Sequence, residues 1–271
     1  MTEIVSLPDV TAAMPDRAPL GPEIQGGALS IGNFDGVHLG HASLLGQTRR
    51  LADQIGGPAI ACLFDPHPIA ILRPELAPKR LTSVVERARR MDAMGIDYLV
   101  VCQTSPELLN LTAEQFFDGL VCRNLRCRGL VEGANFCFGK DRGGDVDLLS
   151  KLCRRQQIQF RIAEMQSSDG EMISSTRIRD FLAGGDVRSA AQMMATAHCI
   201  TGIVAHGDGR GRTIGFPTAN LENVDVVIPA PGVYAGTASA DGIEHRAAIH
   251  IGESPTFGSG EATKVEIHLI G

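Results

Sequence analysis

Two histidines three residues apart, His38 and His41, sit either side of Gly40 in the segment GNFDGVHLGH. The short apolar run Ala28–Ile31 before them reads as a strand. From His41 to Ile55, Leu44, Leu45, Leu51 and Ile55 recur at helical spacing. A strand that feeds a glycine-containing turn and then a helix offers free N–H groups to phosphate oxygens. Both imidazoles can face the same phosphate, and Asn33, Asp35 and Gly36 complete the turn. This donor set suits nucleophilic attack on the α-phosphorus of a nucleotide. It would stabilise charge on the equatorial oxygens and on a departing pyrophosphate, with no covalent enzyme intermediate.

Three further segments could do related work. Ser174, Ser175, Thr176, Arg177 and Arg179 open a helix whose hydroxyls and N–H groups can hold phosphate, and Arg179 adds a charged fork. FDPHP places Asp65 and His67 directly after a second strand. In GRGRTIGFPTAN, the glycines with Arg210, Gly211 and Arg212 describe a loop able to close on phosphates. Thr218 and Asn220, after Pro217, supply neutral oxygens suited to Mg²⁺ beside a nucleotide. Near the end of the chain, Glu266 is a lone carboxylate on an alternating strand.

The elements that must position these groups are legible as an alternation. Expected strands at Ala28–Ile31, Ala59–Phe64, Tyr98–Cys102, Leu130–Val131 and Ile158–Ala163 are separated by expected helices at 41–55, 83–94, 112–121 and 145–156. Thr112 and Gln115 make a capping box. Strands alternating with helices imply a doubly wound parallel sheet covered on both faces. Two short helices follow at 176–183 and 187–194. From about residue 198, Gly, Pro and β-branched residues dominate. Strands at 200–205, 232–238, 246–251 and 265–270 then imply a small antiparallel β-barrel. Residues 1–25, rich in Pro and Ala, read as a loose lead-in, with domains over 26–186 and 187–271.

Composition narrows the classes. The chain has 271 residues and a formal net charge of −6, against a broad electrostatic grip on nucleic acid or an anionic membrane. No apolar run reaches the ~20 residues of a membrane span. The first residues lack a signal-peptide pattern. Seven cysteines with no C-x-x-C pair fit reduced thiols in a cytoplasmic enzyme.

GNFDGVHLGH with ISSTRIR resembles the HxGH nucleotidyltransferase superfamily. With FDPHP and GRTIGFPTAN, the chain from Ala28 to Gly271 resembles the prokaryotic bifunctional riboflavin kinase/FAD synthetases. The resemblance implies that the first module adenylylates FMN with ATP and the second phosphorylates riboflavin with ATP and Mg²⁺. It implies that His38 and His41 bind ATP phosphates, with Asn33 and Asp35 shaping the loop, and that Ser175, Thr176 and Arg179 reach the triphosphate from the other side. It implies that Asp65, His67 and Asn135 line the flavin region, that Thr218 and Asn220 hold Mg²⁺-ATP, and that Glu266 is the kinase general base. The chain departs from the family pattern at Asn135 and Cys137, where an acidic and a basic residue are usual. It departs again at His250-Ile251-Gly252, where the family commonly reads NIG. The family also continues past the position of Gly271, so the barrel is expected to be incomplete. Two alternatives stay open: FAD synthesis alone with a supporting second domain, and a flavin-binding regulatory module without catalysis. The expected partners are the small molecules ATP, FMN and riboflavin, with a homo-oligomer as an open alternative.

Overall fold

The structure, a computed structural model, describes residues 1–7, 10, 20–164, 167–168, 171–205, 217–254 and 262–270. The chain divides into two compact units, Met1–Pro78 with Val84–Ile173, and Lys79–Ser83 with Ser174–Gly271.

The first unit is built on β1 (Glu3–Leu7), β2 (Ala28–Ile31), α1 (Leu39–Ile55), β3 (Ala59–Asp65), α2 (Pro68–Leu72), α3 (Val84–Asp92), β4 (Tyr98–Gln103), α4 (Pro106–Leu109), α5 (Ala113–Phe116), β5 (Gly129–Gly133), α6 (Val146–Arg155), β6 (Gln159–Ala163) and the short pair β7 (Ser167–Ser168) and β8 (Glu171–Met172). Its six-stranded sheet has the order β1-β4-β3-β2-β5-β6, parallel throughout. Alternate residues of each strand enter opposite cores, as a period of two requires. Ile60, Cys62, Val100 and Cys102 pack with Phe116, Phe117, Leu120, Leu149 and Leu152 on one face. Ala59, Ala61, Leu63 and Leu99 pack with Leu45, Leu51, Ala88 and Met91 on the other. Burial on both faces explains why these strands read as nearly continuous apolar runs.

Helix ends follow local chemistry. His38 caps α1, and Gly56 stops it in the left-handed region. Asp145 caps α6 by accepting from Leu148 N. The Thr112/Gln115 capping box forms, but the helix expected over 112–121 is α-helical only to Phe116. Phe117–Asn124 widens into a π-helix, with Phe117, Leu120 and Val121 buried. The wider turn brings Phe116, Phe117, Leu120 and Val121 to one core.

The lead-in expectation needs correction. Glu3–Leu7 is the edge strand of the sheet, in register with Tyr98–Cys102. Thr2 Oγ1 donates to Ile96 O at 2.7 Å, and Leu7 is buried. The proline-rich composition that follows masked a strand too short to show its own periodicity.

The second unit contains α7 (Ser175–Ala183), α8 (Val187–Met194), β9 (Ile203–Ala205), β10 (Ala219–Glu222), β11 (Gly232–Ala240), β12 (Ile243–Ser254) and β13 (Ala262–Ile270). Its five-stranded antiparallel sheet has the order β11-β12-β13-β10-β9. β10 lies in the stretch expected to be loop. Truncating Leu7 to Ala is expected to cost about 2 kcal/mol of unfolding free energy, the low end for a buried leucine. A denaturant titration showing no loss would return residues 1–7 to a non-structural role.

Candidate active site

The segment between β2 and α1 is held in an unusual backbone shape. Phe34, Gly36 and Val37 have φ of 50°, 84° and 44°. A β-branched residue with positive φ is strained, and such strain persists only where the surroundings over-determine it. The surroundings do so here. Phe34 and Val37 are fully buried. Arg87 of α3 donates to Asn33 O at 3.0 Å and to Asp35 Oδ1 at 2.9 Å. Arg90 donates to Gly36 O at 2.9 Å. Glu86 in turn accepts from Arg90 Nε at 2.7 Å. Burial works against ionisation of Glu86, yet the bonds from Arg89 and Arg90 hold its carboxyl below the ordinary range.

The loop delivers two imidazoles to the start of α1. His38 Nδ1 accepts from His41 N at 3.3 Å, so the proton of neutral His38 sits on Nε2. The rings of His38 and His41 stack with centroids 3.6 Å apart, and Phe34 meets His41 edge-on at 5.3 Å. Gly40 supplies the space: a Cβ there would lie 3.2 Å from the His38 ring. Burial lowers the His38 pKa to about 4. Burial, with His38 and Arg87 adding to it, also lowers that of His41. Both rings are therefore neutral donors at neutral pH. The buried Nδ1 of His41 has no hydrogen-bond partner among the described residues.

Asn33 joins this set. Its side-chain amide meets His67 Nε2 at 2.6 Å, while His67 Nδ1 accepts from Ile69 N at 3.1 Å to cap α2. A neutral imidazole accepting at Nδ1 donates from Nε2, which assigns the Asn33 carbonyl oxygen to His67. The buried, unpartnered side of that amide then carries its NH₂. Asp65 ends β3, and Asn135 is exposed in the turn after β5. Strands β3, β2 and β5 are neighbours, so His67, Asn33 and Asn135 emerge at the same, carboxyl end of the sheet. This is where ligands bind in open α/β sheets. The β2–β5 pairing runs only through Ala28↔Gly129 and Leu29↔Leu130. Beyond it, buried Glu132 replaces the ladder and accepts from Ile31 N at 2.6 Å; burial pushes its carboxyl well above the usual range.

Ser175, Thr176 and Arg179 lie on α7 in the second unit. Ser174 caps α7 by accepting from Arg177 N at 3.3 Å, Arg179 Nε donates to Lys79 O at 2.8 Å, and Arg177 sits over the Phe181 ring.

The sheet of the second unit gathers the other expected residues. Asn220 of β10 is opposite Glu266 of β13, and Glu266 is opposite His250 of β12. Asn220 is buried, and its Oδ1 has no partner among the described residues. Thr218, two residues earlier, is exposed. A buried, unpartnered neutral oxygen beside an exposed hydroxyl fits a hard cation such as Mg²⁺. Glu266 Oε1 meets Lys264 Nζ at 3.1 Å and Oε2 meets His250 Nδ1 at 3.3 Å. The Lys264 bond, then that of His250, holds Glu266 below the ordinary carboxylate range against a modest burial effect. Gly211 and Arg212 fall outside the described residues. Tyr234 is tied through its hydroxyl to Ala230 O at 2.5 Å.

Sequence reasoning missed Arg87, Arg90, Glu132 and Lys264. Only the first two left a readable signal: two arginines three apart on a helix, with Glu86 four before Arg90.

Two families match the chain, FAD synthetase over residues 22–177 and riboflavin kinase over residues 194–271. The chain is 34% identical over 251 residues to the bifunctional riboflavin kinase/FMN adenylyltransferase of Pseudomonas fluorescens, covering 93% of this chain and 80% of that protein. It is 35% identical over 247 residues to the protein of that name from Escherichia coli K12, covering 91% and 79%. A crystal structure described as a macrolide-efflux protein from Streptococcus pneumoniae superposes with a TM-score of 0.84 at 26% identity, covering 98% of this chain and 84% of that one. Among the described residues, no helix is long and apolar enough to cross a membrane.

The low histidine pKa has a measurable sign. Well above pH 6.5 the ring is neutral in both folded and unfolded chains. As pH falls toward 4, the unfolded chain takes up a proton that folded His38 refuses. Between pH 7 and 4, His38→Asn is expected to gain about 3 kcal/mol on the wild type, measured as the difference of unfolding free energies. Parallel pH curves would contradict a buried neutral His38.

Proposed function

The chain belongs to the bifunctional riboflavin kinase/FMN adenylyltransferase family, and from that premise we propose how its residues divide the two reactions. In the first, a phosphate oxygen of FMN attacks the α-phosphorus of ATP. The new P–O bond forms FAD as the bond to pyrophosphate breaks. His38 donates from Nε2 to the phosphates, the free N–H groups at the start of α1 do the same, and the Asn33 amide adds a donor. His41 is the second imidazole of this set. Neutral donors already fixed in place need little reorganisation as charge builds. Gly36 and Gly40 let the backbone and the His38 ring come close. Ser175, Thr176 and Arg179 of α7 bind ATP phosphates, and Asp65, His67 and Asn135 face the flavin.

In the second reaction, the terminal ribityl hydroxyl of riboflavin attacks the γ-phosphorus of a second ATP, and the new P–O bond forms FMN as the bond to ADP breaks. Glu266 takes the hydroxyl proton. Its carboxyl, held below the ordinary range, is ionised at neutral pH and so able to accept. Thr218 and Asn220 would hold Mg²⁺, which when bound neutralises phosphate charge, and Gly211 and Arg212 would bind the phosphates.

The observation that carries the reading is the stacked, neutral His38–His41 pair at a helix start, with a buried nitrogen left unpartnered. The test follows both products from riboflavin, ATP and Mg²⁺ in one chromatogram. His38→Ala is expected to lower FAD formation about 100-fold or more while leaving FMN formation near wild type. Glu266→Gln is expected to do the reverse when FMN is supplied. Equal loss of both activities in either variant would refute two separate sites.

A further inference from the structure

The polar face of the second sheet carries more organisation than the proposed reaction has used. Along β13, Val265 is buried while Lys264 and Glu266 alternate with it. On β12, Ala247 and Ile251 are buried and His250 takes the other face. Glu266 thus stands between two register partners on its own face, Asn220 of β10 and His250 of β12. Its two carboxylate oxygens are held separately, Oε1 by Lys264 Nζ at 3.1 Å and Oε2 by His250 Nδ1 at 3.3 Å.

The two ties are unequal. A lysine ammonium is a point charge on a flexible four-carbon stem, so it fixes where charge lies but not the plane of the carboxylate. An imidazole on the neighbouring strand has two side-chain torsions and one donor direction. The ring, 55% exposed, lies over Gly252: a Cβ there would lie 2.8 Å from His250 Cε1 and 3.1 Å from Nε2. Gly252 therefore leaves the room that His250 occupies two residues along the same strand.

We infer that His250 is a positioning residue for the kinase reaction, fixing the plane of the Glu266 carboxylate so that its remaining lone pairs face the attacking hydroxyl. The inference rests on the reading of Glu266 as the base. A glutamate free to rotate presents its oxygen in the attack geometry only part of the time, and small misplacements of a reacting group are costly in rate. Asparagine carries its amide nitrogen where histidine carries Nδ1, so it can keep the donor without the ring.

The test measures FMN formation and FAD formation on the same preparations. His250→Ala is expected to lower kcat for FMN formation about ten-fold, with KM for riboflavin and for ATP within about two-fold of wild type. His250→Asn is expected to recover most of the lost kcat. Gly252→Ala, which leaves every polar group in place but crowds the ring, is expected to behave like His250→Ala. FAD formation from supplied FMN stays unchanged in all three, which reports an intact fold. An unaltered kcat in His250→Ala, a loss confined to KM, or an asparagine variant no better than alanine overturns the inference. Glu266→Gln measured alongside separates the two levels. If that variant still turns over, the reading of Glu266 as base fails and takes the inference with it. If it is dead while His250→Ala has wild-type kcat, only the inference fails.

Discussion

The Arg87–Asp35 ion pair, both side chains less than a tenth exposed, is the contact on which the first site depends. A buried pair of this kind contributes little net stability, because desolvating two charges offsets most of their attraction. Its effect is on shape. Together with Arg90 on Gly36 O, it clamps three residues in the left-handed region, and Phe34 and Val37 fill the core beneath. That backbone shape sets His38 as helix cap and stacks His41 upon it. The chain of cause runs from a helix between β3 and β4, through two guanidinium groups, to the donors at the start of α1.

The second unit solves a related problem with a sheet instead of a loop. Alternation puts Val265, Ile251 and Ala247 into an apolar layer and leaves Asn220, Glu266 and His250 in one row on the other face. Precision comes from strand register, which cannot slip by one residue without exchanging the two faces. The loop site is tuned by burial, which keeps imidazoles neutral. The sheet site is tuned by neighbours, which hold a partly buried carboxylate below its ordinary range.

Much of this was legible in the sequence, and the reasons for the gaps are physical. The strand–turn–helix around His38 could be read because glycines, apolar periodicity and paired imidazoles lie within one continuous stretch. The parallel strands could be read because burial on both faces makes them apolar runs. Glu3–Leu7 was hidden because an edge strand of five residues needs only one buried side, and a proline-rich segment follows it. The π-helix at 117–124 shares its composition with an α-helix; only the packing of adjacent buried residues distinguishes them. Arg87 and Arg90 act on a loop some fifty positions away. Charge pattern alone shows a solvated helix face in such a case. The His250–Glu266 contact is set by strand register, which no local signal specifies.

The claim that α3 builds the first site by shaping a loop can be tested with the cycle Arg87→Met, Asp35→Asn and the double variant. Unfolding free energy and kcat/KM for ATP in FAD formation would be measured for each. Arg87→Met takes the guanidinium away from the buried Asp35 carboxylate, and a loss of about 3–5 kcal/mol is expected. Asp35→Asn in the same chain removes the buried charge and should restore much of that stability. Catalysis should not return with it, because the guanidinium that also holds Asn33 O is still absent. Recovery of stability without recovery of kcat/KM is the expected result; a double variant with wild-type kcat/KM would show that the loop holds its shape without α3.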